Sequence, residues 1–318
     1  MRPPVLILLL VLLSAATLAA ALATGSSAVS LRDALAGDAM ARAILLELRV
    51  PRAAAAYACG GLLALSGVLM QALLRNPLAD PYVLGISGGA ATFALVCIAL
   101  GLAAPLVAAG SFAGAVLATA LVFALASVRH DFAPARLLLT GVVLASGWGA
   151  AISLLLALAP PSGVQGMVFW LLGDLSAAQA PGFAWAVLLV AAVIAFALAR
   201  SLNLLARGAV QAGALGVDVA NLRRGLHLLG SACAAVAVSS GGSIGFVGLV
   251  VPHLLRLTGL RDHRWLVLAA PLAGGALLTA ADTAARTLIA PQQLPVGVLT
   301  TLLGVPLFLW LLRRDAVR

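Results

Sequence analysis

Ten stretches of this chain are long, apolar and almost without charge, and no other feature narrows its folding options so far. They fall at about 5–23, 53–74, 84–105, 106–127, 137–158, 180–199, 225–240, 244–259, 265–289 and 296–312. About 20 predominantly apolar residues cross the hydrocarbon of a bilayer as a helix. The expected architecture is therefore an all-α polytopic membrane protein with about ten transmembrane helices, forming one transmembrane domain over residues 1–318. Hydrophobic residues make up 63% of the chain and charged ones 9%. An ordinary globular domain carries about 25% charged residues, so a soluble two-domain enzyme is excluded and any extramembrane domain is tiny.

The first run ends in Ala21-Leu22-Ala23 after Arg2, which also fits a secretory signal with a small-residue cleavage site. A signal core is about 7 to 15 residues, shorter than this run, and the chain that follows is itself polytopic. The run is read as a first helix. Arginine placement orients the set. With the N-terminus in the cytoplasm, Arg32, Arg42, Arg49, Arg52 and Arg286 fall outside and the other fourteen of the 19 basic residues inside. An even number of spans with both termini cytoplasmic is expected.

All of those basic residues are arginine. Without lysine the chain cannot build a phosphate-binding P-loop or a Schiff-base enzyme, so any ATP it depends on is hydrolysed by another subunit. The arginines are scattered singly and make no basic stripe for nucleic acid. Cys59, Cys97 and Cys233 lie within apolar runs and lack C-x-x-C spacing, so neither a disulfide framework nor a metal site is expected. Gly110-Ser-Phe-Ala-Gly114 is a G-x-x-x-G pair, read as packing against a neighbour in the same chain.

Four polar segments interrupt the runs. Arg75-Asn-Pro-Leu-Ala-Asp-Pro81 reads as a rigid hairpin, with Asn76 and Asp80 able to cap nearby helix ends. The stretch 200–224 is longer than a simple connection needs and suits short helices lying along the inner surface, where a soluble partner could push. Gly241-Gly-Ser-Ile-Gly-Phe-Val-Gly-Leu-Val-Val-Pro-His253 reads as a broken helix, which at membrane depth must be buried in protein or line a cavity. The fourth set, Arg49 with Arg52 and Asp282 with Arg286, has spacings that put each pair on one helix face. It fits either an acidic partner or interfacial anchoring.

Two further chemistries bear testing. Gly85-Ile-Ser-Gly-Gly89 matches the nucleophile strings of serine hydrolases, and Ser87 with His253 could form an intramembrane dyad. The match is weak, because a hydrolase elbow follows a strand and this one follows a Pro-containing loop, while a lone His beside Pro252 is more often structural. An ion-driven transporter would place carboxylates deep in its helices, and this chain offers only Asp282 near an outer end.

Taken together, the motifs resemble a family: the permease subunits of ATP-binding-cassette importers for ferric siderophores, haem and cobalamin, with the type II importer permease fold. The resemblance covers nearly the whole chain. It is carried by Arg49-Val-Pro-Arg52, Ser66-Gly67 to Gln71, Arg75 to Pro81 with Leu84-Gly85-Ile-Ser-Gly88, Gly245 to His253, Asp262-His-Arg264, Ala281-Asp282 with Arg286, Leu294 to Val298 and Gly304-Val-Pro306. It implies a homodimer in lipid of the cell inner membrane, with the path between subunits. It further implies two ATP-binding subunits carrying ATP and Mg, a periplasmic substrate-binding protein, and no cofactor, metal or catalytic residue on this chain. By position, Arg49, Arg52 and Arg286 resemble the outer arginines that dock the binding protein. Gly208, Ala209, Val210, Leu215 and Gly216 fall in the ATPase-coupling segment, and Pro134 with Ala135 at the inner gate. Helix five and the stretch Gly163 to Gln179 are expected to line the path. The coupling segment departs from the family's usual acidic pair after Gly208. The Met70-Gln71-Ala72 stretch and the C-terminal segment lean toward a cobalamin-type member, with haem and siderophores as the other chelates.

Overall fold

The computed structural model describes residues 2–25, 31–126, 134–176 and 181–315. Its helices are α1 (Pro3–Ala23), α2 (Leu31–Leu35), α3 (Ala39–Ala43), α4 (Val50–Leu74), α5 (Ile86–Ala99), α6 (Ala104–Ala126), α7 (Pro134–Leu158), α8 (Pro161–Leu171), α9 (Gly182–Ala197), α10 (Ala199–Arg207), α11 (Ala209–Ala214), α12 (Val219–Gly241), α13 (Val247–Leu257), α14 (His263–Thr287) and α15 (Val296–Asp315). A π-turned segment, Ile44–Arg49, leads into α4, and a 3-10 turn, Pro81–Leu84, precedes α5. No strand occurs among the described residues. Each of the ten apolar runs coincides with one helix.

Among the described residues, five helical stretches are long and apolar enough to cross a membrane, and six are if α9 and α10, bent by 57° where they meet, count as one. Two of the ten runs form shorter helices, Ile86–Ala99 and Val247–Leu257, because turns and irregular backbone take up residues at both ends of each run. The first turns of α12 are polar, with Asn221, Arg223 and Arg224.

The central element is α4, in which every residue but Val50, Pro51, Ala54 and Leu74 is buried. Small residues let its neighbours approach backbone to backbone. A Cβ on Gly60 would meet the Gly274 carbonyl oxygen of α14 at 2.2 Å, and one on Gly67 the Gly248 oxygen of α13 at 1.9 Å. Hydrogen bonds pin the packed faces: Ser66 Oγ donates to the Gly230 oxygen of α12 at 2.6 Å, and Gln71 Nε2 to the Leu249 oxygen at 3.3 Å. Tyr57 stacks on Trp185 with ring centroids 5.5 Å apart and donates to Ser14 Oγ at 2.8 Å. The G-x-x-x-G pair works as expected within the chain, since a Cβ on Gly114 would strike the Gly89 oxygen of α5 at 2.2 Å.

The expected hairpin and broken helix meet inside the bundle. Asp80 accepts from Tyr82 N at 2.8 Å to start the 3-10 turn, while Asn76 accepts from Leu78 N at 2.9 Å within the loop. Pro81 lies against Gly248, whose added Cβ would meet Pro81 Cδ at 2.8 Å. The break between α12 and α13 passes through Gly242 and Phe246 at φ 70° and 68°, and Ser243 Oγ lies 2.8 Å from Ser87 Oγ. The break between α12 and α13 and the corner at Pro81 are thus covered by protein, the condition for irregular backbone at membrane depth, while Arg75 to Leu78 of the hairpin are exposed. In contrast, α7 buries only Leu137 and Gly141, and much of its remaining apolar surface is exposed. A surface this apolar is at home in lipid, and the chain is a multi-pass membrane protein.

Candidate functional site

Two polar assemblies sit at opposite ends of α14. At the predicted outer end the i,i+4 spacing of Asp282 and Arg286 produces an ion pair, Arg286 Nε to Asp282 Oδ2 at 3.1 Å. The same carboxylate takes Arg52 of α4 at its other side, with Arg52 Nη2 to Oδ1 at 2.8 Å and Nε to both oxygens at 3.1 Å. Arg52 Nη1 also donates to Gln293 Oε1 at 2.7 Å. Asp282 is 1% exposed, Arg286 4% and Arg52 9%, so this is a buried cluster in which one carboxylate holds two guanidinium groups. Charge-assisted, forked hydrogen bonds of this kind are the strong ones.

Arg49 completes the group from the end of the π-turned segment. Its Nη1 donates to the Leu22 oxygen at 3.1 Å and the Ala23 oxygen at 3.4 Å, while Arg286 Nη2 reaches the Ala21 oxygen at 3.4 Å. The three residues of the would-be cleavage motif therefore supply carbonyls to the arginines and close the C-terminal end of α1. This makes α1 an integral part of the cluster. Three arginines against one aspartate leave a formal +2. The arginines that sequence placed together on the outside do come together, and they are buried with partners inside the chain.

At the predicted inner end, α10 and α11 form the pair of short helices expected in 200–224. Gly208, at φ 134°, turns the chain between them, and Gly216, at φ 83°, turns it toward Asp218, whose carboxylate caps α12 at Asn221 N. Ala199, Leu202 and Leu205 anchor α10, whereas Val210 is 86% exposed and Leu215 65%. Asn203 of α10 is bonded to the start of α14: its Nδ2 donates to Asp262 Oδ1 at 2.7 Å, and its Oδ1 accepts from His263 N at 2.9 Å. Burial would raise the Asp262 carboxyl, but the hydrogen bonds from Asn203 and the Arg264 N–H, with the Arg264 and His263 charges, hold it below its ordinary value.

Pro134 and Ala135 open α7 and border a cavity of about 350 Å³ shared with Asn76, Leu78 and Val83. A larger cavity of about 660 Å³ lies against Phe112, Trp170, Asp174, Phe183 and Ser240. It takes in part of the stretch Gly163 to Gln179, of which 177–179 lie outside the described residues. Among the described residues no group of His, Cys, Asp or Glu could hold a metal ion. The hydrolase reading finds no support. Ser87 sits at the start of a helix with no strand before it, its hydroxyl is bonded to another hydroxyl, and His253 lies edge-on to Phe308 at 5.9 Å.

Sequence reading missed Gln293 and Asn203, and also that Asp282 would be shared. The i,i+4 spacing signalled one arginine of that carboxylate. The other is 230 residues away in sequence and is brought to it only by the packing of α4 on α14.

Comparison with known proteins agrees with this architecture. The model of the FecCD transport family matches residues 6–314. The chain is 42% identical to the hemin transport system permease protein HmuU of Yersinia pestis, over 86% of this chain and 84% of that protein. It is 40% identical to the cobalamin import system permease protein BtuC of Halobacterium salinarum, over 87% of this chain and 75% of that protein. Among solved structures, an inward-facing metal-chelate-type ABC transporter superposes with a TM-score of 0.86 at 30% identity, covering 98% of this chain and 99% of that one. With a match spanning nearly its full length, the chain belongs to the FecCD transport family.

Proposed function

We propose that this chain is the membrane permease subunit of an ATP-binding-cassette importer for a metallated tetrapyrrole, the chemistry that haem and cobalamin share. The observation that carries this reading is the similarity over more than four fifths of the chain to both a hemin and a cobalamin permease. In this reading it resides in the cell inner membrane with both termini cytoplasmic. It works as a homodimer with two ATPase subunits, on which ATP and Mg are bound, and a periplasmic binding protein; the chain itself holds no cofactor and performs no covalent chemistry.

The geometry supports a role for each region. The bare face of α7 carries Gly147 and Gly149, where an added Cβ would meet nothing within 4 Å. Small residues on an apolar face suit close approach of a second copy, with the path between the copies. Val210 and Leu215 offer the ATPase an apolar footing beside Gly208, Ala209 and Gly216. Arg49, Arg52 and Arg286 give the outer end a +2 field that draws the acidic surface of a binding protein and orients it. Closure of the ATPase pair moves the short helices, and α7, starting at Pro134 and Ala135, opens or shuts the inner end. A preassembled chelate arrives tightly held elsewhere, so a small and weakly adhesive lining suffices.

Reconstitution with the ATPase and binding protein, followed by ATP-dependent uptake of hemin, cobalamin and a ferric siderophore, tests the proposal. Uptake of hemin or cobalamin supports it. Uptake of the siderophore alone would overturn the tetrapyrrole assignment while keeping the importer.

A further inference from the structure

We infer that Asn203 is a positioning residue for transport, latching the ATPase platform to α14 and, through α14, to the arginine cluster at the other end. The inference rests on the importer reading and adds a route between its two working surfaces.

Four observations carry it. The break at Leu198 bends α10 by 57° away from α9, so α10 is not the rigid continuation of a span. The exposed Val210 and Leu215 follow on the far side of Gly208, so a load on them acts on α10. Within α10, Asn203 uses both ends of its amide on α14: Nδ2 donates to Asp262 Oδ1 at 2.7 Å, and Oδ1 accepts from His263 N at 2.9 Å and lies 2.8 Å from His263 Nδ1. It thereby supplies an acceptor to a backbone N–H in the first turn of α14, which has no partner within its own helix.

The last observation is the helix itself. From Asp262 to Asp282, α14 runs about 30 Å at 1.5 Å per residue, with Pro271 within it and packing on both sides of that proline. It is held along this length against α4, where Gly274 meets Gly60 and Gly275 meets Tyr57, and against α1, where Ser14 Oγ donates to the Leu272 oxygen at 3.3 Å. Its far end carries Asp282 and Arg286. A shift of α10 that pulls on the start of α14 therefore displaces the carboxylate shared by Arg52 and Arg286. Rigid packed elements with hydrogen-bonded ends are the means by which such displacements travel.

The experiment uses the full permease assembled with its ATPase and binding protein in nanodiscs. It reads the ratio of ATPase activity with and without saturating binding protein, and the binding protein's Kd with and without trapped ATP. Asn203→Ala should lower both ratios about fivefold or more, the lower bound of ordinary coupling between sites. Asp262→Ala should lower them less, since the bond from His263 N to Asn203 remains, Asp262→Asn should keep the ratios by keeping an acceptor oxygen, and the double alanine variant should be no worse than Asn203→Ala alone. Wild-type ratios in Asn203→Ala, or losses that add in the double variant, would overturn the latch. If Asn203→Ala does not assemble, equal ratios in Asp262→Ala and Asp262→Asn overturn it instead. A wild-type chain that binds neither partner overturns the importer reading, before any variant is scored.

Discussion

The helices α4 and α7 are each 25 residues long and apolar, yet one is buried along nearly its whole length and the other almost nowhere. In α4, glycines at 60, 61 and 67 each face backbone or side-chain atoms under 3 Å from where a Cβ would stand. In α7, Gly147 and Gly149 face open space within the protomer. In lipid an apolar helix gains little from leaving its surroundings, so what separates the two is shape and polar anchoring, not hydrophobicity. Arg52, Tyr57, Ser66 and Gln71 of α4 all have hydrogen-bonding partners on other elements, whereas Ser146 and Ser153 of α7 return to carbonyls of their own helix.

The sharpest way to break this contrast is to fill the glycines. Gly67→Val should cost more than about 3 kcal/mol, because the Gly248 carbonyl it would strike is backbone and cannot move aside; loss of monodisperse protein in detergent would show it. The same change at Gly147 should leave the thermal unfolding of the chain within experimental scatter while weakening assembly of the proposed dimer and slowing uptake. Equal damage from both would mean that α7 is packed within the protomer as α4 is.

Next comes the anchor of α4. Asp282→Ala leaves Arg52 and Arg286 buried without their shared carboxylate, and breaking a buried pair in this way costs about 3–5 kcal/mol, measurable as a lowered unfolding midpoint. Ser66→Ala removes a single interhelical hydrogen bond and should cost about 0.5–1.5 kcal/mol. Ser153→Ala on α7, by contrast, should be nearly neutral in the same measurement.

A smaller effect belongs to the loop that follows α4. Burial pushes the Asp80 carboxyl up to about 6, against the pull of its hydrogen bond from Tyr82 N. The folded state then holds this proton more tightly than the unfolded chain, whose carboxyl titrates at about 3.9, so the contribution of Asp80 to stability falls as pH rises from about 4 to 6. Asp80→Asn keeps the cap acceptor and removes the ionisation. Its midpoint should exceed that of wild type at pH 7.5 and converge with it at pH 4.

Much of the fold is legible in the sequence. The ten runs each found a helix because twenty apolar residues in lipid leave the backbone no alternative to internal hydrogen bonds. The break before Val247 and the corner at Asp80 could be read from Gly and Pro, which dictate local backbone whatever surrounds them. The lengths of α5 and α13 were not legible, since hydropathy registers the apolar ends of a run whether they are helical or irregular. The outer site was legible as a set of residues but not as a bonded cluster: Arg49, Arg52 and Arg286 were named, while Gln293 and the carbonyls of Ala21, Leu22 and Ala23 were not. Asn203 left no signal, because an amide in a polar segment looks like any solvated residue until the element opposite is known.

The sequence by itself determined that this chain is helical, lies in a membrane, and carries its charge at the ends of its spans. Those outcomes follow from solvation and short-range backbone geometry, which each segment settles alone. Only the tertiary structure decided that α4 is the centre and α7 the bare edge, that Asp282 is shared by two arginines, and that Asn203 holds α14. These depend on which surfaces meet, through contacts between residues as far as 265 positions apart, and no local pattern encodes a partner that distant.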